Sequence, residues 1–149
     1  MSEMTDLERL LALEDIRMLR AKYCQYIDSH RWRDLEQVLA PDAVLDLSGT
    51  GAVLGRAVPP VAGREQIIRL FETGFDRLKM LLHIVTIPII EFEGDDFARG
   101  TWRQETFIKE NNPDLPGTGI TYCTAHDTYR RHDKGWRIES VRVTIDLPL

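Results

Sequence analysis

The segment LLHIVTIPIIEF, residues 81–92, is the most apolar run in the sequence. Its many β-branched residues predict a strand. His83 stands near the start of this run, between a leucine and an isoleucine. A histidine in that position is either a satisfied core residue or a base in a largely dry pocket, because imidazole titrates near neutrality and can be buried uncharged. The strand by itself leaves both interpretations open.

A carboxylate far upstream is the candidate partner of this histidine. The segment Thr5-Asp6-Leu7-Glu8 has the pattern of a capping box, which predicts a helix start. Apolar residues then recur at steps of three and four positions up to about Ser29, and they predict one buried helix face. The predicted face consists of Leu10, Leu13, Ile16, Leu19 or Arg20, Tyr23 and Ile27. Asp28 ends this apolar helix where a solvated residue is not obviously needed, which suggests a place in a pocket with His83.

The composition limits the classes of function. A chain of 149 residues with 43% hydrophobic and 29% charged residues matches a single globular domain, 1–149. Its net charge of −5 disfavours non-specific binding to nucleic acid, which needs a basic surface. No apolar run approaches the ~20 residues that cross a bilayer, and the acidic N-terminus is unlike a secretory signal. We therefore expect a cytoplasmic protein that acts on neither nucleic acid nor membranes.

The cysteines and histidines show no metal-binding pattern. Cys24 and Cys123 are too far apart for a C-x-x-C pair or a zinc-binding frame. The four histidines have neither H-x-x-x-H nor H-E-x-x-H spacing. The sequence implies no metal, and we expect no other cofactor.

Helices precede strands along the chain. After the first helix we expect a short helix that Pro41 ends, a strand over 43–47 and a helix over 64–79. Four long strands are predicted at about 81–92, 97–109, 119–131 and 136–145. Short Gly/Asp turns predict antiparallel hairpins. This is an α+β arrangement, in which a curved, mainly antiparallel sheet wraps around the helices and leaves a conical cavity.

Alternation along the strands suggests which side chains line that cavity. The three strands after the first long one carry, on one face each, Trp102, Gln104, Thr106 and Ile108; Ile120, Tyr122, Thr124 and His126; and Trp136, Ile138, Ser140, Arg142 and Thr144. Apolar and polar residues mixed on one face fit a ligand pocket better than a plain core, although alternation does not say which face points inward. The candidate substrate-binding residues are Trp102, Thr106, Tyr122 and Thr124.

Four segments, in order and spacing, carry a resemblance to a known family. They are Leu19-x3-Tyr23-x4-Asp28-x3-Trp32-x2-Leu35-x3-Leu39-Ala40-Pro41-Asp42-Ala43, then Gly63-Arg64-Glu65-x-Ile67, then Leu82-His83, and last Tyr129-x6-Trp136-Arg137-Ile138. Over nearly the whole chain the sequence resembles SnoaL-like proteins of the nuclear transport factor 2-like superfamily. The resemblance implies a cone-shaped α+β fold. Activity varies within the superfamily, so it must be argued from the site.

Within that superfamily the chain is most similar to the group of scytalone dehydratase, hexachlorocyclohexane dehydrochlorinase and bile-acid 7α-dehydratase. The resemblance implies that Asp28 orients His83, that Tyr23 assists a leaving oxygen and that Arg142 on the last strand stabilises charge. Scytalone dehydratase has a tyrosine where this chain has Ile27, and a second pocket histidine where this chain has residues 106–108. The substrate is therefore expected to differ from that of scytalone dehydratase.

These observations predict a cofactor-independent lyase, of the dehydratase type, or an isomerase that acts on a small, mostly apolar cyclic molecule. One alternative is a polyketide-type cyclase that uses the same Asp–His pair. The other is a non-catalytic ligand-binding or scaffold domain with a filled cone. In each case four long strands on few helices leave an apolar outer face. We therefore expect a homo-oligomer, a trimer or a dimer, with Val85, Ile87 or their neighbours in the interface.

Overall fold

The protein opens with a long helix, α1 (Asp6–Asp28), in a computed structural model that describes residues 3–53, 55–112, 114 and 118–147. The predicted capping box is present: the Thr5 side chain accepts from the Glu8 backbone N–H, and the Glu8 carboxylate accepts from the Thr5 N–H at 2.8 Å. Burial begins later than predicted. Leu10 is 63% exposed, and the first buried residue of the helix is Ala12. The C-terminal half of α1 is therefore the part that belongs to the core.

The remaining elements follow the α+β order. The helical ones are a 3-10 helix (Trp32–Gln37), α2 (Ser48–Val53) and α3 (Arg64–Gly74). The strands are β1 (Leu39–Asp46), β2 (Val61–Ala62), β3 (Leu78–Val85), β4 (Ile89–Phe92), β5 (Phe97–Glu110), β6 (Gly119–His132) and β7 (Gly135–Leu147). Among the described helices, none is long and apolar enough to cross a bilayer.

The strands form one curved sheet that stays open. Their order is β2-β1-β7-β6-β5-β3, and β4 also pairs with β5. Only the β1–β7 pairing is parallel among those described; the other pairings are antiparallel. The predicted mainly antiparallel α+β cone is confirmed.

Three predicted boundaries are wrong. The strand expected over 81–92 is two strands, β3 and β4, because Pro88 between them has no N–H to donate to a neighbouring strand. The helix expected to reach residue 79 ends at Gly74, and β3 begins at Leu78. Pro41 lies inside β1 rather than at a helix end. The register between β1 and β7 shifts in this part of β1, between Leu39 and Val44.

The register decides which strand faces point into the core. On β5 the predicted inner face, residues 102, 104, 106 and 108, is buried. Gln104 pairs with Cys123, and paired residues share a side of the sheet, so the inner residues of β6 are odd-numbered. On β7 the register shifts near Glu139, and the inner residues change from Trp136 and Ile138 to 141 and 143. Alternation alone, without the register, assigned to the cavity the residues of β6 that face outward. It did the same for the residues of β7 after Ile138.

Candidate active site

Asp28 and His83 lie in contact where α1 ends against β3. The Asp28 Oδ1 atom is 2.6 Å from His83 Nδ1, and Asp28 Oδ2 accepts the His83 backbone N–H at 2.9 Å. The two side chains are 11% and 13% exposed, with His83 the less exposed. A carboxylate on Nδ1 holds the proton of a neutral imidazole there and leaves Nε2 with a free lone pair. The two contacts therefore fix the orientation of the imidazole ring.

The local fold explains why these two residues meet. Asp28 is the last residue of α1, so its side chain projects past the end of the helix and reaches the adjacent strand β3. On β3, Leu82 and Ile84 point outward and are 42% and 50% exposed, whereas Leu81 and His83 point inward. The two apolar neighbours of His83 in the sequence therefore do not enclose its imidazole. The side chains around the imidazole belong mainly to other helices and strands.

A small cavity of about 30 Å³ lies beside His83. Its polar lining residues are Arg20, Tyr23, Thr50, His83, Gln104 and Thr106. Its apolar lining residues are Ile27, Leu47, Phe71, Phe75, Leu81 and Val143. This volume corresponds to about one water molecule. The cone is thus largely filled by side chains, with one small space at the imidazole.

Two of the predicted site residues share this cavity with His83. Tyr23 lies on the same face of α1 as Ile27, and Thr106 pairs with His83 across β3 and β5. Trp102 is buried on the inner face but lies outside the cavity lining, and its Nε1–H donates to the Tyr129 hydroxyl at 2.9 Å.

The other three predicted residues are on the opposite side of the sheet. Tyr122 is 43% exposed, and Thr124 donates to Asp146 on the outer side. Arg142 pairs with His126 and points away from His83. The register of β6 and the bulge in β7 place all three outside the cavity, so the expectation that they line it is corrected.

The cation in the cavity is instead Arg20, which the sequence analysis did not single out as a site residue. It is 1% exposed, and its Nη1 donates to both Asp127 oxygens at 3.3 Å while Nη2 donates to Gln104. Asp127 also accepts the Tyr129 hydroxyl at 2.7 Å. A charged residue three positions before Tyr23 on an apolar helix face was the signal that could have found it.

Burial sets the protonation of the groups around the cavity. Burial opposes the charge of Arg20, but the Asp127 carboxylate and neighbouring groups outweigh it and raise the pKa of Arg20. Burial raises the pKa of Asp127, while Arg20 and Tyr129 act in the opposite direction. Both Asp127 oxygens lie within hydrogen-bond distance of Arg20, and one also lies near the Tyr129 hydroxyl; these contacts favour the carboxylate form. Burial also raises the pKa of Tyr23, so its hydroxyl keeps its proton.

Other parts of the described surface offer larger depressions. One of about 710 Å³ lies between α2 and β7, and one of about 560 Å³ lies near Ile84 and Tyr122; neither includes His83. Within the described ranges, no group of three or more His, Cys, Asp or Glu side chains is arranged to hold a metal ion.

Comparison with solved structures gives the same fold. The structure of LinA superimposes with a TM-score of 0.83 at 19% identity, over 98% of this chain and 95% of that one. A LinA-type3 hexachlorocyclohexane dehydrochlorinase from Novosphingobium barchaimii gives 0.81 at 19% identity, over 97% and 94%. A scytalone dehydratase-like protein from Novosphingobium aromaticivorans gives 0.81 at 14% identity, over 96% and 89%. The family model of the SnoaL-like domain matches residues 8–142, and the chain therefore belongs to the SnoaL-like family.

Proposed function

We propose that the protein is an enzyme in which His83 removes a proton from a small, mostly apolar cyclic substrate, in a lyase or isomerase reaction that needs no cofactor. The observation that carries the proposal is the 2.6 Å contact between Asp28 and His83 at the edge of a cavity. Asp28 accepts two hydrogen bonds from His83, one from the ring and one from the backbone. The ring is therefore held in one orientation and one tautomer before any substrate binds.

The chemistry follows from that orientation. His83 Nε2 takes a proton from a carbon beside an activating group, and Asp28 stabilises the imidazolium that results. General-base catalysis of this kind contributes about 10²–10⁴-fold in rate. In an elimination the leaving oxygen must also gain a proton. Tyr23 is the donor in the cavity suited to this step, because burial keeps its hydroxyl protonated.

The size of the cavity constrains how a substrate binds. A space of about 30 Å³ accepts one substituent of a ring rather than the ring itself. The reacting end of the substrate enters beside His83, and the rest must displace wall side chains. Thr50, on the six-residue helix α2, is the half-buried member of the lining on that side of the cavity.

Two structural relatives support an elimination over other reactions of this pair. LinA-type3 is named a hexachlorocyclohexane dehydrochlorinase, and another neighbour is scytalone dehydratase-like. The first name describes loss of hydrogen chloride from a cyclic compound, and the second describes loss of water. A polyketide-type cyclase would use the same base but would have to fold a long chain into this small cavity.

A non-catalytic domain is the second candidate, and the cavity volume favours it. In a scaffold domain the filled cone is a hydrophobic core, and the Asp28–His83 contact only stabilises the fold. The outer face of the sheet then binds the partner. That face and its edge expose Ile84, Ile87, Ile89, Tyr122 and Leu147 by 50%, 87%, 66%, 43% and 59%.

Self-association through this surface is compatible with either candidate. Val85 was one of the two interface residues named from the sequence, but it packs against the core, so Ile87 is the better choice. Light scattering of the wild type and of Ile87→Lys tests this. A monomeric wild type at micromolar concentration contradicts the proposal of an oligomer.

The test of the catalytic proposal is a screen of cyclic β-hydroxy ketones for the absorbance change that accompanies loss of water. A substrate found in this way should be turned over by the wild type, and His83→Asn should lower kcat/KM by about 10²–10⁴-fold with the melting temperature little changed. Turnover that survives His83→Asn rules out His83 as the base. A screen in which the wild type turns over no compound favours the scaffold candidate instead.

A further inference from the structure

A depression of about 660 Å³ lies where the hairpin between β6 and β7 meets the start of β1 and the start of α3. Its lining includes four cationic side chains, Arg64, Arg131, Lys134 and Arg137. It shares no lining residue with the cavity beside His83. The positive charge gathered in this depression is therefore separate from the candidate acid–base site.

The excess of positive charge is local. The four cations outnumber the two carboxylates of the lining, Glu36 and Asp133, and Glu36 also lies 3.6 Å from Arg33, a cation outside the lining. The whole chain, by contrast, has a net charge of −5. A concave surface with an excess of one charge concentrates ions of the opposite charge. The depression therefore attracts anions to a protein that is acidic as a whole.

The four cations have no anionic partner within the described part of the chain. None of them forms an ion pair with a carboxylate there, whereas Arg130, next to Arg131 in the sequence, has a Glu139 oxygen 3.1 Å from its Nε. Cations that surround one depression repel one another, and an anion bound between them is attracted to all of them.

Two of these cations are held in place by the backbone. Arg64 and Arg137 are half-buried, and the Nη1 atom of each donates to a main-chain carbonyl, that of Leu39 at 3.3 Å and that of Trp136 at 2.7 Å. A guanidinium has five N–H donors, and the described hydrogen bonds use one of them in each arginine. The remaining donors can bind two oxygens of one anionic group at once.

The start of α3 adds to the positive field. Arg64 is the first residue of this 11-residue helix, and the N-cap residue Gly63 has no side chain that could accept from the N–H groups of the first turn. The acidic residue of that turn, Glu65, is bound to Arg33 at 2.6 Å. The positive end of the helix dipole therefore lies at the depression that Arg64 lines.

We propose that this depression is a second ligand-binding site, for a phosphate-bearing small molecule. A phosphate ester carries a charge of about −1.5 to −2 at neutral pH, and its several acceptor oxygens suit several cations around one space. A single carboxylate leaves most of these cations without a partner. The volume lies within the range of small-molecule sites, about 300–1,000 Å³. The site does not depend on the function proposed for His83.

A free phosphate compound fits better than the phosphates of a membrane or a nucleic acid. Binding to those polyanions rests on a broad basic surface. Here the cations converge on one depression, and the net charge of −5 repels an extended anionic surface.

The probe is inorganic pyrophosphate, which carries the anionic chemistry without any other group. In ¹⁵N-labelled wild type it should shift the amide resonances around Lys134 and in the first turn of α3. Calorimetry should show saturation at one pyrophosphate per chain. Acetate, with one carboxylate, should bind at least about tenfold more weakly, because it makes fewer charge-assisted hydrogen bonds.

Matched variants each remove one positive charge. Arg64→Gln and Arg137→Gln should each weaken pyrophosphate binding by about five- to tenfold, between the effect of an exposed ion pair and that of a charge-assisted hydrogen bond. Arg103→Gln is the control, because Arg103 is exposed on β5 and lies outside the lining. At about 0.15 M salt, which screens distant charges, it should weaken binding less than about twofold. Melting temperatures show whether each variant is folded.

Three results overturn the proposal. One is the absence of saturable resonance shifts at the depression of the wild type, which decides the question even if a variant does not fold. Another is a loss of affinity in Arg64→Gln and Arg137→Gln no larger than in Arg103→Gln, since binding then reflects net charge alone. The third is co-sedimentation of the wild type with vesicles of phosphatidylcholine and phosphatidic acid without binding of pyrophosphate, which assigns the depression to a lipid phosphate.

Discussion

Replacing Asp28 with asparagine changes the chemistry of the candidate site with little change of shape. The Asp28 carboxylate accepts the His83 ring proton at 2.6 Å and the His83 backbone N–H at 2.9 Å. An asparagine offers only one oxygen for these two donors, and its NH₂ group occupies the other position. If the oxygen stays on the backbone N–H, the NH₂ group faces Nδ1, and His83 must become an acceptor there. The ring proton then moves to Nε2, and the base is lost.

The magnitude follows from these two contacts. The wrong tautomer removes general-base catalysis, so kcat/KM should fall by about 10²–10⁴-fold. The effect on the free energy of unfolding is smaller. Hydrogen bonds to a charged acceptor contribute about 1.5–3 kcal/mol each, whereas the two contacts of the asparagine are neutral hydrogen bonds of about 0.5–1.5 kcal/mol each. With side chains 11% and 13% exposed, we expect a loss of about 1–3 kcal/mol.

The assays separate the two effects. The ¹⁵N chemical shifts of the His83 ring report which nitrogen carries the proton in the neutral form, and urea unfolding gives the change in free energy. Asp96→Asn is the control, because that side chain is 69% exposed. A neutral His83 ring in Asp28→Asn with its proton still on Nδ1 refutes the reasoning. So do losses of activity in Asp28→Asn and His83→Asn that add in the double variant, since residues that act as a unit are not additive.

Three further predictions concern individual side chains. Tyr23→Phe should lower kcat of an elimination by about 10²–10⁴-fold, the range of general-acid effects, with the melting temperature little changed; an unchanged kcat removes Tyr23 as the donor. Ile16→Ala, at a fully buried position, should cost about 2–5 kcal/mol in urea unfolding, whereas Leu10→Ala, 63% exposed, should stay within about 0.5 kcal/mol. Burial raises the pKa of Cys24 to about 11, so this 5% exposed thiol becomes a thiolate only in strong alkali. Iodoacetamide should therefore leave Cys24 unmodified in the native protein at neutral pH and alkylate it after denaturation, and rapid native labelling would contradict the burial.

The fold could be predicted from the sequence because its signals are local. The capping box at Thr5, the spacing of apolar residues along α1 and the short turns between strands depend on neighbours within a few positions. The errors lie where local signals compete. The segment 81–92 has strand-forming residues throughout, yet Pro88 cannot join the hydrogen-bond ladder, and the strand divides.

The site could be predicted only in part. The pairing of Asp28 with His83 was inferred from the resemblance to a family whose motif both residues match, and the structure brings the two atoms within 2.6 Å. Arg142 was carried over in the same way, but a bulge in β7 shifts the alternation after Ile138, and the side chain points to the outer face. A bulge leaves no clear mark in the sequence, since any residue can occupy it.

The sequence by itself indicated the α+β arrangement, the long first helix, most of the long strands and the two residues of the Asp28–His83 contact. The tertiary structure alone decided which strand faces are inside, how much of the cone is empty and which cation it contains. The reason is that periodicity defines the faces of an element but not the side to which each face turns, because that depends on pairing between residues far apart in the chain. Arg20 and Asp127 are 107 positions apart, and their contact exists only because α1 packs inside the sheet.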